Sequence, residues 1–553
     1  MKQSGLILFT GLYLSIICIC PAQEQNARIT VKILDAKSGQ AVPARLELID
    51  SMGKSFLAEN ALLLGGDQEN RDLPWQGSIE EAGAWFKANH KKFARHMWAR
   101  GEQFYCDGTA EFLLPVGQYK LRAFRGMEYL DADQSFTIDT LKEKTITLKL
   151  ERWIYMAREG WYSADAHLHI PRFVPELDPY LSKCMQAEDI NFANLLRWGH
   201  SRHFNNAPQH TPGKPGVYQE GNYFLLSGQE NPRTHFLGHT IILGAFPAIH
   251  QDDRYLVYRH FFERAFKQGA LSGFAHKGKN FIAQNGLGIN LPDGFLNFIE
   301  VLQFREGSYE VWYDTLNSGF RIAPLAGTDY PWGKGFPGRE RFYTPIKGKP
   351  TADAWIDNIR KGQVFVTMGP MLSFEVNGKS MGETVALNQP GSVRIKGRVR
   401  INPESDILNA VELIHCGQVL KTFHPGKGQD EFTFDIEQEV HDASWFALRT
   451  NGQKKGLESA SQAHTAAVYV EIKGQPDLAH HPRAKVMADK WIKILKELES
   501  ILLDDKKSKK LVGGGKAGGV SEMVLEKNSA DLLKATQDAI GFYQQQKKDI
   551  STQ

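Results

Sequence analysis

The first 150 residues alternate apolar and polar positions in the manner of β-strands. Ile29, Val31 and Ile33 are separated by polar residues, and this period of two returns in later segments of the same region. Because alternate side chains of a strand face opposite sides of a sheet, the pattern predicts a small β-sandwich over residues 27–153. A polar, helix-like insertion over residues 60–105 interrupts it.

A different pattern begins at residue 154. Short apolar runs alternate with helical patterns over residues 154–370, which is typical of an α/β domain. Polar residues that can carry chemistry come at or just after the ends of these runs, where barrel active sites are built. Strand-like alternation over residues 371–475 predicts a second β-sandwich, and residues 482–553 read as helices joined by a Gly-rich linker. The predicted fold class is therefore multidomain α/β plus β.

Composition narrows the chemistry that the chain can support. The 553 residues include 66 Lys+Arg and 63 Asp+Glu, a formal net charge of +3, so no strongly basic surface is expected and no binding to a nucleic-acid duplex. With 18 His and only 5 Cys, a disulfide scaffold or a cysteine-rich zinc structure is disfavoured. Any bound metal must be held by histidines and carboxylates.

The amino terminus is typical of a secretory signal. Lys2 precedes a mostly apolar run over residues 6–20 that is short for a membrane span, so we expect a signal peptide over residues 1–22. The mature protein is then expected in the periplasm or secreted, without a transmembrane segment. A lipid anchor at Cys18 or Cys20 is the alternative, disfavoured by the bulky isoleucines around these positions.

The segment from Ser163 to His169 carries the strongest chemical signal. In an extended strand His167 and His169 point to the same face, so both imidazoles can bind one ion, with Asp165 beside them. Further residues of the types that bind metals recur at predicted strand ends, in the order Glu230, His239, His276 and Asp329. Each one alone is more simply explained as a core histidine or a turn-capping acid, but their recurrence at strand ends favours a metal centre.

The order of these motifs resembles the polymerase and histidinol phosphatase (PHP) superfamily, and within it the CehA/McbA group of metallohydrolases. Matching segments begin at Gly160-Trp161, at Trp312-Tyr313 and at Arg360-Lys361, and the likeness covers roughly residues 155–385. It implies a distorted (β/α)7 barrel, flanked here by the two sandwiches and the helical tail, with two or three divalent ions (Zn, Mn or Fe) at its strand ends. The ligands that the resemblance carries over are His167, His169, Glu230, His239, His276 and Asp329.

The chain departs from the superfamily pattern at two places. The superfamily usually has Thr-Asp-His after the second strand, whereas this chain has Leu196-Arg197-Trp198. His200 is a candidate replacement for the missing imidazole, but the missing acid has no obvious substitute. The final Asp-x-His pattern is also changed, because Asp329 is followed by Tyr330 and then proline. Fewer ions, or loss of activity, would follow from these changes.

Metal-assisted hydrolysis is the chemistry that these ligands favour. A divalent ion held by histidine and carboxylate lowers the pKa of a bound water to ~7 and polarises a phosphoryl or carbonyl oxygen. Arg197, Lys277 and Arg339 are candidate cations for the charge that develops, although a surface or structural role is the simpler interpretation of each.

Three functions remain open at this point. The resemblance favours an exported hydrolase of phosphoesters that acts on a small molecule or a glycan. Carbamate or amide hydrolysis at the same site is the enzymatic alternative, because the CehA/McbA group includes both. A non-catalytic, metal-containing binding protein is the alternative that the two departures favour.

Overall fold

The computed structural model of the protein describes residues 26–64, 103–200, 203–250, 253–276, 284–332, 335–455, 460–512 and 520–552. Four sequence predictions lie wholly or mainly outside the described residues: the signal peptide, the helical insertion, Lys277 and the Gly-rich linker. The backbone of His200 is described but its side chain is not. Within the described parts the chain is a mixed α/β protein, rich in strands.

The amino-terminal region forms two facing sheets. Its strands are β1 (Ala27–Asp35), β2 (Ala44–Asp50), β3 (Ser55–Phe56), β4 (Gln103–Cys106), β5 (Thr109–Leu114), β6 (Gly117–Phe124), β7 (Ala132–Ile138) and β8 (Lys144–Leu150). One sheet has the order β5-β1-β8, and the other has the order β3-β2-β6-β7 with β4 paired to β2. Along β1 every second residue is buried, as alternation predicts, and these side chains join the core of the region.

The central region alternates strands with helices. Its strands are β9 (Trp161–Leu168), β10 (Phe192–His200), β11 (His203–Asn206), β12 (Tyr218–Glu220), β13 (Tyr223–Thr234), β14 (Gly238–Leu243), β15 (Leu271–Phe274), β16 (Phe298–Gln303), β17 (Glu306–Gly307), β18 (Ala323–Ala326), β19 (Arg341–Pro345) and β20 (Phe365–Thr367). Its helices are α1 (Asp178–Ala187), α2 (Arg259–Lys267), α3 (Gln284–Asn290), α4 (Glu310–Asn317) and α5 (Ala352–Arg360).

The carboxyl-terminal region is mostly antiparallel and ends in helices. Its strands are β21 (Met371–Val376), β22 (Lys379–Ser380), β23 (Thr384–Leu387), β24 (Gly391–Arg400), β25 (Asp406–His415), β26 (Gln418–Phe423), β27 (Glu431–Val440), β28 (Ser444–Lys454), β29 (Ala460–Thr465) and β30 (Val468–Ile472). The helices α6 (Pro482–Leu502), α7 (Asp505–Ser508) and α8 (Glu522–Thr552) follow. Short 3-10 turns occur at Met156–Glu159, Pro175–Leu177, Lys214–Gly216, Leu291–Asp293, Leu478–His480 and Lys509–Leu511.

The carboxyl-terminal strands are divided between two sheets. Four of them form a separate sheet in the order β22-β21-β24-β27. The others belong to one closed sheet with the central strands, which they join where β20 pairs with β29. The predicted boundary at residue 371 therefore does not interrupt the hydrogen bonding. The seven-stranded barrel implied by the resemblance stays a prediction.

Strand direction explains why polar residues meet at one edge of the central sheet. β9, β10 and β13 are parallel neighbours, and β15, β16 and β18 form a second parallel set. β14 lies between the two sets and is antiparallel to β13 and β15. The edge that holds the carboxyl ends of the parallel strands therefore also holds the amino end of β14. Residues just after the parallel strands and just before the apolar part of β14 are brought together there.

Buried ion pairs attach the amino-terminal sandwich to the central region. Arg152 Nη1 lies 2.6 Å from Glu128 Oε2 and 2.8 Å from Asp189 Oδ2, and the Tyr343 hydroxyl donates to Glu128. Burial and the neighbouring Asp189 carboxylate raise the pKa of Glu128 to about 7, against the effect of Arg152. This network joins the chain before β9 to the turn before β10, so it fixes the sandwich against two strands that carry the site.

The terminal helices cover the far side of the central helices. Trp491 on α6 donates its indole N–H to Ser318 Oγ at 2.9 Å, and Tyr543 on α8 donates to the Gly288 carbonyl at 2.9 Å. Both aromatic rings are fully buried. The helical tail is thus part of the packed structure. Among the described residues, no helix has both the length and the apolar character that crossing a bilayer requires.

Candidate metal centre

The two histidines of β9 face each other at the edge of the sheet. Strand alternation puts His167 and His169 on one face, and the His169 amide is held by the Tyr330 carbonyl at 2.8 Å. Their Nε2 atoms are 3.1 Å apart, and neither side chain is more than 1% exposed. Two buried imidazole nitrogens at this separation need a proton or a cation between them.

Two carboxylates complete this inner position, which we define as His167, His169, Glu230 and Asp329. Asp329 Oδ1 lies 3.3 Å from His167 Nε2 and 3.1 Å from His169 Nε2. Glu230 Oε2 lies 3.9 Å and 3.4 Å from the same two nitrogens. Both imidazole nitrogens therefore lie close to an oxygen of each carboxylate.

The separations within the inner position are those of side chains that share one metal ion. A zinc ion at ~2.1 Å from four tetrahedral ligands separates those ligands by ~3.4 Å. The five measured separations run from 3.1 to 3.9 Å. Mixed nitrogen and carboxylate donors also suit manganese and iron. The residues present thus fit a divalent ion.

A second set of ligands, the outer position, consists of Glu230, His239 and His276. Glu230 Oε1 lies 2.8 Å from His239 Nδ1 and 3.5 Å from His276 Nε2, and these nitrogens are 3.2 Å apart. Glu230 Oε1 is buried and accepts no hydrogen bond from the described residues, despite the nearby His239 nitrogen. Close approach without hydrogen-bond geometry is the arrangement expected of atoms that converge on a cation.

The backbone is strained where two of these ligands leave their strands. His276 and Asp329 have φ values of 35° and 52°, in the left-handed region that side chains other than glycine rarely adopt. Strained residues of this kind cluster at functional sites, where the surrounding structure compensates their cost. Here the strain turns both side chains inward from the ends of β15 and β18.

Glu300 on β16 orients the ligands from behind, and sequence reasoning missed it. Its Oε2 lies 3.1 Å from His167 Nδ1 and accepts the His276 amide at 2.9 Å, and its side chain is fully buried. Carboxylates commonly hold the far nitrogen of a metal-binding histidine in this way. The signal in the sequence was an acid within the apolar run Phe298-Ile299-Glu300-Val301-Leu302.

Asp165 connects β9 to the segment that carries Asp329. It accepts the amides of His167 at 2.9 Å, Thr328 at 3.1 Å and Gly338 at 2.8 Å, and the Thr328 hydroxyl at 2.7 Å. Burial raises its pKa to about 6, against the effect of these hydrogen bonds. Asp165 therefore positions the ligands instead of binding an ion.

The glycine between β18 and Asp329 is required by close packing. A Cβ at Gly327 would come within 2.5 Å of Glu300 Oε1 and within 2.5 Å of the His167 Cβ. Only a residue without a side chain lets this turn pass so near the histidine.

Electrostatics identify the inner position as a place for positive charge. Burial acts to lower the pKa of His167, but the Asp329 and Glu300 carboxylates outweigh it and hold that pKa well above its usual range. The pKa of His169 is raised to about 9 in the same way, by Asp329 and Glu230 acting against burial. The surrounding charges also keep the pKa of Glu230 well below its usual value, although burial opposes them. The carboxylates thus stay ionised and attract protons where a cation would bind.

One segment of β10 departs from the superfamily pattern, and we call Leu196-Arg197-Trp198 the departed motif. It supplies packing instead of metal ligands. The Leu196 carbonyl lies 3.2 Å from His169 Nδ1, and the Trp198 ring packs against His169 with centroids 6.0 Å apart. Arg197 lies between them in the strand, so its side chain points to the other face of the sheet. β10 ends at His200, whose side chain is outside the described part of the chain.

A cation that sequence reasoning did not identify lies beside both positions. Arg233 Nη1 is 3.2 Å from Glu230 Oε2, its Nη2 is 3.3 Å from His239 Nδ1, and its guanidinium covers the Trp198 ring at 4.4 Å. Burial and Arg233 lower the pKa of His239 to about 3. No residue pattern marked Arg233, because a bulge in β13 between Glu230 and Arg233 sets its direction.

Arg339, by contrast, is engaged by its neighbour in the chain. Its Nε and Nη2 atoms both lie 2.8 Å from Glu340 Oε1, and the Glu340 side chain is fully buried. The contacts of Arg339 that we measure are with an acid that is not one of the metal-type ligands. Lys277, the third cation that the sequence put forward, lies outside the described residues.

Comparisons with known proteins give little information about this chain. No protein-family model matches the sequence, and a search of curated proteins finds no significant match. Among solved structures, the crystal structure of an engineered protein matches at 11% identity, covering 36% of this chain and 48% of that chain, with a TM-score of 0.13. At this TM-score the likeness carries no information about the fold.

Proposed function

We propose that this protein is an exported, metal-dependent hydrolase of the PHP type, related to the CehA/McbA group, and that it cleaves phosphoesters. The observation that carries the proposal is that the Nε2 atoms of His167 and His169 lie at metal-ligand separations from each other and from the carboxylates of Glu230 and Asp329. A divalent ion held there that accepts a further ligand would activate a water molecule and polarise the bond to be cleaved.

The exposed fractions of the ligands indicate the side from which substrate approaches. His167 and His169 are buried, whereas the side chains of His239 and His276 are 15% and 27% exposed. Substrate would therefore reach the ion across the outer position. On that side burial and Arg233 lower the pKa of His239 to about 3, so His239 stays neutral at physiological pH and is available as a ligand.

Arg233 favours an anionic ester over a neutral substrate. Its guanidinium keeps a fixed positive charge beside the outer position, and arginine matches the oxygens of phosphate by its planar fork of N–H donors. A carbamate or amide would use the same ion without needing this charge. Carbamates and amides are therefore tested beside the phosphoesters.

The test is turnover by protein reconstituted with zinc or manganese. The substrate panel contains a phosphomonoester, a phosphodiester, a carbamate and an amide with chromogenic leaving groups. We expect hydrolysis of a phosphoester, and we expect Glu230→Gln to abolish it while the protein stays folded. Glu263→Gln is the matched control, because Glu263 lies on α2 and pairs with Lys267 at 2.7 Å.

Two results would reject parts of this proposal. Hydrolysis of the carbamate or amide alone would replace the phosphoesterase by the enzymatic alternative. No turnover by metal-replete protein, with ligand binding unchanged in a His167→Ala, His169→Ala variant, would leave the non-catalytic binding protein.

A further inference from the structure

The ligand groups share atoms, and this limits how many ions the described residues can hold. His167 belongs to two of the three groups of metal-type ligands, one with His169 and Glu230 and one with His276 and Asp329. Its Nδ1 faces Glu300, so Nε2 is the ring nitrogen available to an ion. Because that nitrogen has one lone pair, both groups use the same ion. The described ligands therefore offer two positions, the inner and the outer.

The outer position already has a positive charge beside it. Arg233 lies 3.3 Å from His239 Nδ1, a ligand atom of this position, and 3.2 Å from Glu230 Oε2, the carboxylate oxygen that faces the inner position. The residue is only 8% exposed, and its place is fixed from the other side by the Trp198 ring. A buried Nε of Arg233 has no hydrogen-bond partner among the described residues, so one donor remains available.

The balance of buried charge also favours a single ion. Three carboxylates face the imidazoles, from Glu230, Asp329 and Glu300. One divalent ion and one guanidinium neutralise these three negative charges, whereas a second divalent ion would leave a buried excess of positive charge. Asp165 does not change this comparison, because four hydrogen bonds already compensate its carboxylate.

We propose that Arg233 is the fixed cation of the outer position, so that the chain binds one divalent ion tightly and the guanidinium takes the place of a second. This inference rests on the proposed function, because it concerns the same site. Trp198 of the departed motif takes part, because its ring packs against the Arg233 guanidinium.

The test is the number of ions that the full chain binds. Metal-free protein is titrated with zinc and, separately, with manganese by calorimetry, and the metal retained after desalting is counted by mass spectrometry. We expect one tightly bound ion per wild-type chain and one in Arg233→Lys, which keeps the charge. In Arg233→Met, which keeps the length but not the charge, we expect a second ion to bind at least ~10-fold more tightly than to the wild type.

Arg259→Met is the matched control, because its guanidinium is exposed on α2 and pairs with Asp293 at 3.0 Å. This variant loses the same charge and should still bind one ion. Two or more ions of similar affinity in the wild type would overturn the inference, and this measurement decides it even if Arg233→Met does not fold. An unchanged single ion in a folded Arg233→Met would also overturn it.

Turnover separates this inference from the proposed function. One tight ion and the expected response of Arg233→Met, with no hydrolysis of any substrate, would reject the hydrolase and keep the inference. Full hydrolysis by a wild type that binds two ions tightly would keep the hydrolase and reject the inference. A chain that binds neither metal would reject both.

Discussion

Buried histidines at two places in this molecule have opposite environments. His464 on β29 is fully buried, and both of its ring nitrogens have a partner: the Tyr313 hydroxyl at 2.5 Å and the Thr465 carbonyl at 2.7 Å. The aromatic rings of Tyr309 and Trp312 complete its surroundings. At the inner position, in contrast, His167 and His169 direct their Nε2 atoms at each other and at carboxylates.

The difference appears in the charge that each environment favours. Burial without a nearby carboxylate lowers the pKa of His464 to about 3, so it is a neutral packing residue. Carboxylates outweigh burial at His169 and raise its pKa to about 9. Burial alone therefore does not identify a ligand histidine. A ligand histidine is identified by a carboxylate or a second imidazole that faces the same ring nitrogen.

The largest expected effect comes from removing one ligand of the inner position. In His169→Ala the ion loses one of four ligands. Removing a residue that is hydrogen-bonded to a ligand costs ~10–100-fold in metal affinity, and we expect a larger loss here. Calorimetric titration measures it. His464→Phe is the control and should bind metal like the wild type. Equal losses of affinity in the two variants would break the comparison.

The next largest effect tests whether Glu300 acts through His167. Glu300→Gln keeps the size of the side chain but removes the charge that fixes the His167 ring, so we expect a ~10–100-fold loss of metal affinity. The same change at Glu310, which is exposed at the start of α4, is the matched control. Wild-type affinity in Glu300→Gln would show that packing alone orients the histidine.

A pH dependence of stability should distinguish the neutral histidine from the others. The folded-state pKa of His464 is depressed to about 3, so between that value and an unfolded value of ~6.5 the unfolded chain binds the extra proton. His464 then contributes stability that is present above pH ~6.5 and is lost by about 1.4 kcal/mol per unit as the pH falls towards 3.

The measurement is the difference between two unfolding curves. Urea unfolding of the wild type and of His464→Phe is followed from pH 4 to pH 7, and the contribution of every other titrating group cancels in the difference. The wild type should lose its relative stability on acidification. A difference that does not depend on pH would mean that folding does not change the pKa of His464.

The sequence predicted those features of the site that depend on local strand geometry. The placement of His167 and His169 follows from alternation at the end of β9, and that of Asp329 follows from its position after β18. Glu230 was predicted at a strand end but lies within β13, which continues to Thr234. The alternating patterns of the two flanking regions likewise predicted strands, because burial on one face of a sheet leaves a period of two.

The features that the sequence did not reveal depend on contacts between distant segments. Glu300 contacts His167 because β16 and the end of β9 meet at the same edge, and no local pattern reports which strands meet. Arg233 depends on a bulge in β13, where the regular alternation fails. The sharing of one closed sheet by the central and carboxyl-terminal strands was missed for the same reason, since alternation shows that a strand exists but not which strand it pairs with.

The smallest effect is expected at Arg197, where the direction of a side chain again decides whether it can serve the site. In the parallel pairing of β10 with β13, Trp198 is opposite Glu230 and Arg197 is opposite Gln229, whose side chain donates to the Ile249 carbonyl on the other face of the sheet. Arg197 therefore points away from the ligand atoms, although it belongs to the departed motif.

We expect Arg197→Gln to change metal affinity and turnover by no more than about twofold, as for substitutions away from a functional contact. Calorimetry and the substrate panel measure both quantities beside Arg233→Met. A large loss in Arg197→Gln would mean that position in the motif, and not the direction of the side chain, decides which cation serves the site.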